Sequence, residues 1–222
     1  MGEQKAQLIV TDPPYNIDYT GKTKDALKIQ NDKMSGESFK DFLIEVFTNL
    51  LMSASEGAGI YIFHADSEGV NFRQALTESG FLLKQCLIWN KHIPTLGRQD
   101  YQWQHEPILY GWKPGAAHNW YSDRKQTTVW NFNKPTRSAE HPTMKPIDLI
   151  QYPIENSSKP DDLVLDAFGG SGSTMAAAHQ TGRRCYTMEI DPHYCDVIVT
   201  RMRKLWPDLL ILRNGKVFND VA

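Results

Sequence analysis

The 222-residue chain reads as an α/β protein built on a mostly parallel, doubly wound sheet. Strand-like apolar runs alternate with stretches of helical period along most of its length. Two of the runs stop abruptly, one at Asp12-Pro13-Pro14-Tyr15 and one at a glycine turn after Leu165. In open parallel sheets ligands bind at the carboxyl ends of the strands, and both stops fall at such ends.

Leu8 to Thr11 is the first strand. It is ended by two prolines that supply no N–H and push the residue before each towards extended geometry. Residues 38–54 place Phe39, Phe42, Leu43, Val46, Phe47, Leu50 and Leu51 on one helical stripe. A second strand is expected at 59–65, then a helix over 67–80 with Ser67 as its N-cap and Gly80 at its end. Residues 81–91 and 106–113 read as two strands separated by a polar loop. From Lys113 to Glu140 turn residues are frequent and no period is visible, which predicts an inserted loop or small hairpin. A helical pattern over 145–158 is interrupted at Pro153. Strand, glycine turn and helix start follow over 162–174, then a strand over 183–191. A helix with Pro192 at its first position spans 192–206, and a last strand spans 208–214. The expectation is one domain, 1–222, with 96–140 as an inserted segment.

Composition excludes several classes. No apolar run approaches the roughly 20 residues of a bilayer-spanning helix. Cys86, Cys185 and Cys195 are odd in number and form no C-x-x-C, so they suit neither a disulfide framework nor a zinc site. They read as reduced, and the chain as cytoplasmic. His92, His105, His118 and His141 lack metal-ligand spacing, so no metal is expected. His105 and Glu106, just before a strand, read as an architectural hydrogen-bonding pair. The formal net charge is −2, yet the stretch from Lys84 to Lys145 holds nine Lys/Arg against four Asp/Glu and five of the six tryptophans. A basic stretch interleaved with aromatics suits a phosphate backbone and unstacked bases.

In "DAFGGSGST" (166–174) the strand ends at Asp166, and Gly169, Gly170 and Gly172 permit a tight turn with close backbone approach. The spacing is neither that of a phosphate-cradling P-loop nor the G-x-G-x-x-G of dinucleotide sites. The next strand ends in Glu189-Ile190-Asp191, where an acid is placed to accept from ribose hydroxyls. A nucleoside-containing cofactor without a pyrophosphate fits this pattern. Asp191, directly before Pro192, reads as a helix cap.

Three segments carry a resemblance. "DAFGGSGST" resembles the S-adenosylmethionine turn of amino-methylating DNA methyltransferases, "DPPY" (12–15) their catalytic tetrapeptide, and "HPTMKP" (141–146) the segment upstream of their cofactor turn. Their order resembles that of the circularly permuted β-class, and the resemblance runs from Leu8 to about Trp206. It implies a Rossmann-like S-adenosylmethionine-dependent methyltransferase fold acting on adenine N6 in double-stranded DNA. Cytosine N4 is the alternative base. A non-catalytic nucleic-acid-binding subunit, or a transferase for RNA or a protein amide, are the alternatives from outside the class.

The chemistry asks for these residue types. An exocyclic amine is a poor nucleophile because its lone pair is delocalised into the ring. On the resemblance, the Asp12 carboxylate and the Pro13 carbonyl are each expected to accept one N–H, with the locked φ of Pro13 and Pro14 removing slack. Tyr15 is expected to stack on a base that has left the duplex. The resemblance implies that Asp166, Ala167, Phe168, Gly169, Gly170 and Gly172 surround the cofactor and that Glu189 holds its ribose. It implies that Thr143, Lys145 and Pro146 close over the methionine end, with Lys145 pairing with a carboxylate. Arg98, Arg124, Lys125, Lys134 and Arg137 are the expected DNA contacts. The recognition segment is short for the task, so a homodimer, a partner subunit or an upstream module is expected to share it.

Overall fold

The computed structural model describes residues 1–17, 34–134 and 144–218. Seven strands form one sheet: β1 (Ala6–Thr11), β2 (Ala54–Phe63), β3 (Leu82–Thr95), β4 (Trp103–Trp112), β5 (Val129–Asn131), β6 (Leu163–Asp166) and β7 (Arg184–Thr187). Their spatial order is β5-β3-β4-β2-β1-β6-β7. Only β4 runs against the rest, antiparallel to both β2 and β3. β1 pairs in parallel with β2 on one side and with β6 on the other, so the chain order reverses beside it. That reversal is the switch point at which open α/β sheets bind ligands.

Helices cover both faces because the strands alternate. Ile9, Ile60, Ile62, Leu109 and Leu165 point to the face packed by α1 (Gly36–Ser53) and α2 (Gly69–Glu78). Leu8, Val10, Tyr61, Phe63, Trp89 and Ile108 point to the face covered by α3 (Ile147–Ser157) and α4 (Ser173–Gln180). Phe39, Leu43 and Phe47 of the predicted stripe on α1 are fully buried, each contributing about 1.5–3 kcal/mol of transfer free energy. A third cluster joins α4 to α5 (Pro192–Leu205) through Ala176, Ile198 and Met202.

Several elements differ from the sequence expectations. Ser67 does not cap α2: residues Asp66–Glu68 form a short 3-10 turn, and α2 begins at Gly69 without a side-chain cap. The carboxylate of Glu68 instead receives Asn16 and Asn71. Pro153 lies inside α3 rather than ending it, since the helix is held by Leu149, Ile150 and Ile154 against the sheet. Residues 208–214 add no strand to the sheet. Leu212–Arg213 (β8) pairs with Lys216–Val217 (β9) around Asn214-Gly215, both at positive φ, a two-residue hairpin turn. Between Lys113 and Asn131 the chain first crosses the amino-terminal ends of β1 and β2, where Asn119 donates to Gln7 O. It then supplies β5, whose buried Trp130 extends the sheet beside β3. The stretch 96–140 thus includes a central strand, β4, as well as the edge strand β5.

Candidate active site

Period-two alternation carries a row of polar groups to the carboxyl edge of one face. Asp12 follows Leu8 and Val10 on β1, and Phe63 ends β2 on the same face. Because β4 is antiparallel, its first residues lie at that edge too. Glu106 stands opposite Trp89, and Lys91 follows Trp89 two residues on. The segment entering α3 lowers Lys145 onto this row.

The four charged groups form a chain of contacts. Lys145 Nζ donates to Asp12 Oδ2 at 2.5 Å and lies 3.1 Å from the Tyr15 hydroxyl. The Tyr15 hydroxyl donates to Asp12 Oδ1 at 2.5 Å. Lys145 Nζ also stands 3.3 Å from Glu106 Oε2, while Lys91 Nζ donates to Glu106 Oε1 at 2.7 Å. Lys91 and Lys145 are each only 6% exposed, a burial that ammonium groups tolerate when paired. Burial acts to lower the Lys145 pKa, but Asp12 and Glu106 outweigh it and raise it above the ordinary lysine value. For Glu106, burial acts upward and is outweighed by Lys145 and Lys91, which hold the carboxyl below its usual range. Burial, with the nearby charges of Asp12 and Glu106, pushes Tyr15 well up, so its hydroxyl stays a donor.

Across the switch point lies the glycine turn. Thr11 Oγ1 donates to Asp166 Oδ1 at 2.9 Å, tying the ends of β1 and β6 together, and Phe168 N donates to the same oxygen at 3.1 Å. Burial raises the Asp166 carboxyl to about 7 in spite of the hydrogen bonds from Thr174, Phe168 and Thr11. The Glu189 carboxylate accepts from Gly170 N at 2.7 Å and from Asp191 N at 2.9 Å. Asp191 caps α5, accepting from His193 N. Gly172 sits at φ +78, a left-handed position that favours glycine, and a Cβ there would come within 3.1 Å of Ile198. A Cβ on Gly169 would come within 2.7 Å of Thr187 Oγ1, so the turn lies tight against β7. Ala167 and Phe168 are half-buried, and Phe168 meets Phe42 edge-on at 6.3 Å.

Both halves open into one cavity of about 1060 Å³, bounded by Asp12–Tyr15, Lys145 and Glu106 on one side and by 165–171 and 186–191 on the other. That volume is at the upper end of the roughly 300–1,000 Å³ of ligand sites, enough for a cofactor and a base together. The donor set fits S-adenosylmethionine. Carboxylates at two strand ends suit ribose hydroxyls and a sulfonium, and the buried Thr187 Oγ1 on the cavity wall has no hydrogen-bond partner among the described residues. Among the described residues no group of three or more His, Cys, Asp and Glu is placed to hold a metal ion.

The structure therefore brings Asp12, Pro13, Pro14 and Tyr15 together with Asp166–Gly170 and Glu189. Two of the expected residues, both on the cavity wall, make contacts that the sequence did not announce. Lys145 pairs with the carboxylates of Asp12 and Glu106, and Pro146 behind it begins α3 as its N-cap. Tyr15 sets its hydroxyl on Asp12 and its ring 5.4 Å from Lys145 Nζ. Lys134 stands near the cluster, where burial and then Lys91 and Lys145 lower its pKa against Glu106. Arg98 lies in the exposed loop between β3 and β4. Arg124 and Lys125 follow a segment tied to the opposite end of the sheet and are not brought to the cavity. Thr143, Arg137 and His141 lie outside the described residues. Sequence reasoning missed Lys91 and Glu106 as members of the site.

Sheet order, switch point and pocket put the chain in the class of α/β methyltransferases that take S-adenosylmethionine. Comparison with known proteins narrows this: residues 6–200 match the N6/N4 methyltransferase family, described as DNA methylase, and the chain belongs to that family. It is 26% identical over 92% of its length to the type II methyltransferase M.HinfI of Haemophilus influenzae, and spans 65% of that protein. It is 27% identical over 90% of its length to the DNA adenine methyltransferase YhdJ of Escherichia coli (strain K12), and spans 76% of that protein. Among solved structures, the M1.HpyAVI–SAM complex is similar in fold, with a TM-score of 0.71 and 23% identity over 90% of this chain and 89% of that one. The cytosine-N4-specific PvuII DNA methyltransferase gives a TM-score of 0.72 at 15% identity, covering 90% of this chain and 81% of that one. Among the described residues no helix is long and apolar enough to cross a membrane.

Proposed function

We propose that the chain transfers a methyl group from S-adenosylmethionine to the exocyclic N6 amine of an adenine in DNA. The observation that carries this reading is the single cavity, with an Asp-Pro-Pro-Tyr strand end on one wall and the glycine turn, Asp166 and Glu189 on the other. Its support from outside the chain is membership of a DNA methylase family and similarity to a DNA adenine methyltransferase. When bound, S-adenosylmethionine supplies a methyl group on a sulfonium that leaves as a neutral thioether, so the protein's task is placement and electrostatics.

The chain's own residues provide that placement. Asp12 and the Pro13 carbonyl accept the two N–H groups of the amine and turn its lone pair towards the glycine-turn half of the cavity. Asp166 and Glu189 hold the nucleoside cofactor from the ends of β6 and β7. As the N–C bond forms and the C–S bond breaks, the amine sheds one proton, which passes to the Asp12 carboxylate that accepted that N–H and from there to solvent. Target engagement falls to the loop between β3 and β4 and the first residue of β4, where Leu96, Tyr101 and Trp103 are exposed together with Arg98, and to Lys134, which lies close enough to Lys91, Glu106 and Lys145 to feel their charges. Exposed aromatics with cations suit an extruded base and its phosphates.

The test is incubation with S-adenosylmethionine carrying a labelled methyl and unmethylated genomic DNA, then digestion to nucleosides and mass spectrometry. Labelled N6-methyladenine is expected. Labelled N4-methylcytosine would keep the site's chemistry and change the base. Cofactor binding with no labelled nucleoside would overturn the reading.

A further inference from the structure

Both oxygens of Asp12 already have donors: Tyr15 on Oδ1 and Lys145 on Oδ2, each at 2.5 Å. An ammonium N–H and an amine N–H are donors of the same kind, and although each carboxylate oxygen has two lone-pair sites, the ammonium at 2.5 Å fills the space beside Oδ2 through which an amine would approach. If the target amine is to reach Asp12 Oδ2, Lys145 has to give way. A buried ammonium cannot simply be released, because an unpaired charge at this depth is strongly unfavourable. It needs another carboxylate within a short swing.

Glu106 has the form of that second acceptor. Its Oε1 is held by Lys91 at 2.7 Å, which fixes the carboxylate in place. Its Oε2 is buried, accepts no well-formed hydrogen bond from the described residues, and already faces Lys145 Nζ as a longer ion pair at 3.3 Å. A shift of roughly half an ångström would bring that contact to the 2.7–2.9 Å of a charge-assisted hydrogen bond. We propose that Lys145 occupies the place of the target amine on Asp12 and that Glu106 takes the ammonium over when the amine arrives. Glu106 is then a positioning residue acting through Lys145, and Lys91 is its anchor. The proposal rests on the reading that Asp12 receives an amine. It adds the device that keeps Asp12 paired before the base enters and frees it afterwards.

Glu106→Gln keeps the shape of the acceptor and removes its charge, so Lys145 stays on Asp12 and competes with the base. Single-turnover transfer to unmethylated genomic DNA is expected to need about 10- to 100-fold more DNA, with cofactor affinity unchanged within about twofold. In a Lys145→Met background there is no ammonium to hand over, so adding Glu106→Gln is expected to change little. Equal losses in both backgrounds would show a merely structural Glu106 and overturn the proposal.

A spectroscopic readout separates this proposal from the proposed function. The Cε resonance of Lys145, in protein labelled with ¹³C-lysine, is identified by its absence in Lys145→Met. Addition of a single-stranded oligo(dA), which presents adenine amines without a duplex to open, is expected to move that resonance in the wild type and not in Glu106→Gln. A resonance that ignores oligo(dA) in the wild type, or moves equally in both proteins, would overturn the handover. A chain that methylates no DNA yet shows the expected pattern would lose its proposed function and keep the handover.

Discussion

Asp166 joins the two halves of the cavity and has the most informative acidity in the molecule. Its carboxyl is raised to about 7 by burial, so the folded protein prefers it protonated while the unfolded chain ionises near 4. As pH rises from about 4 to about 7 the unfolded state loses this proton first, and the stability that the group contributes at low pH is lost across that window. Asp166→Asn, which keeps an acceptor for Thr11 and Phe168, cannot lose it. Urea denaturation of the two cofactor-free proteins at a series of pH values is therefore expected to show the wild type falling relative to the variant between about pH 4 and pH 7. Parallel curves would contradict this account of Asp166. Other residues were legible for plain reasons. Two prolines after an apolar run stop a strand, and glycines at 169, 170 and 172 permit a tight turn, so the ends of β1 and β6 were legible as breaks, while the roles of Asp12–Tyr15 and Asp166–Gly172 came from the resemblance. Lys91 and Glu106 did not, because a lone charge beside a strand carries no local signal of its partner.

At the scale of elements, that partner was nevertheless inferable. Two strand patterns separated by one polar loop form a hairpin, so the second runs backwards and its first residues share an edge with the last residues of the first. This places Glu106 beside Lys91 at the ligand edge. Reading the sheet as mostly parallel, with no direction assigned to 106–113, left the relation unseen. Asn214-Gly215 is likewise a two-residue hairpin signal that explains why Leu212–Arg213 turns back on Lys216–Val217 instead of joining the sheet. β5 was illegible for another reason. Three residues show no period, and its place comes from tertiary contacts such as Trp89 Nε1 to Phe132 O at 2.8 Å. The long helix α1 offers a direct check on local rules. Ser35 Oγ accepts from Ser38 N at 3.3 Å as the N-cap. Ser35→Ala is expected to cost about 1 kcal/mol in chemical denaturation while leaving cofactor affinity unchanged. No measurable loss would mean that sheet packing alone holds that end of α1.

The molecule as a whole is a sheet whose reversal point opens into one cavity with room for a cofactor and a base. A cofactor that binds only the folded chain stabilises it by mass action, about 2.7 kcal/mol at a hundred times its dissociation constant. For a chain of this size that is a rise in melting temperature of about 5–10 °C, readable by calorimetry with S-adenosylmethionine. No shift would argue against the glycine-turn half of the cavity as its site. The central claim is that binding and transfer are divided between the two walls, with the cofactor held from β6 and β7 and the amine held at the end of β1. The most direct measurement is Asp12→Ala beside the wild type, with cofactor affinity by calorimetry and labelled methyl in DNA nucleosides read from the same preparations. Transfer is expected to fall by at least about 100-fold with affinity kept within a few-fold. An Asp12→Ala protein that still methylates DNA at the wild-type rate would contradict it.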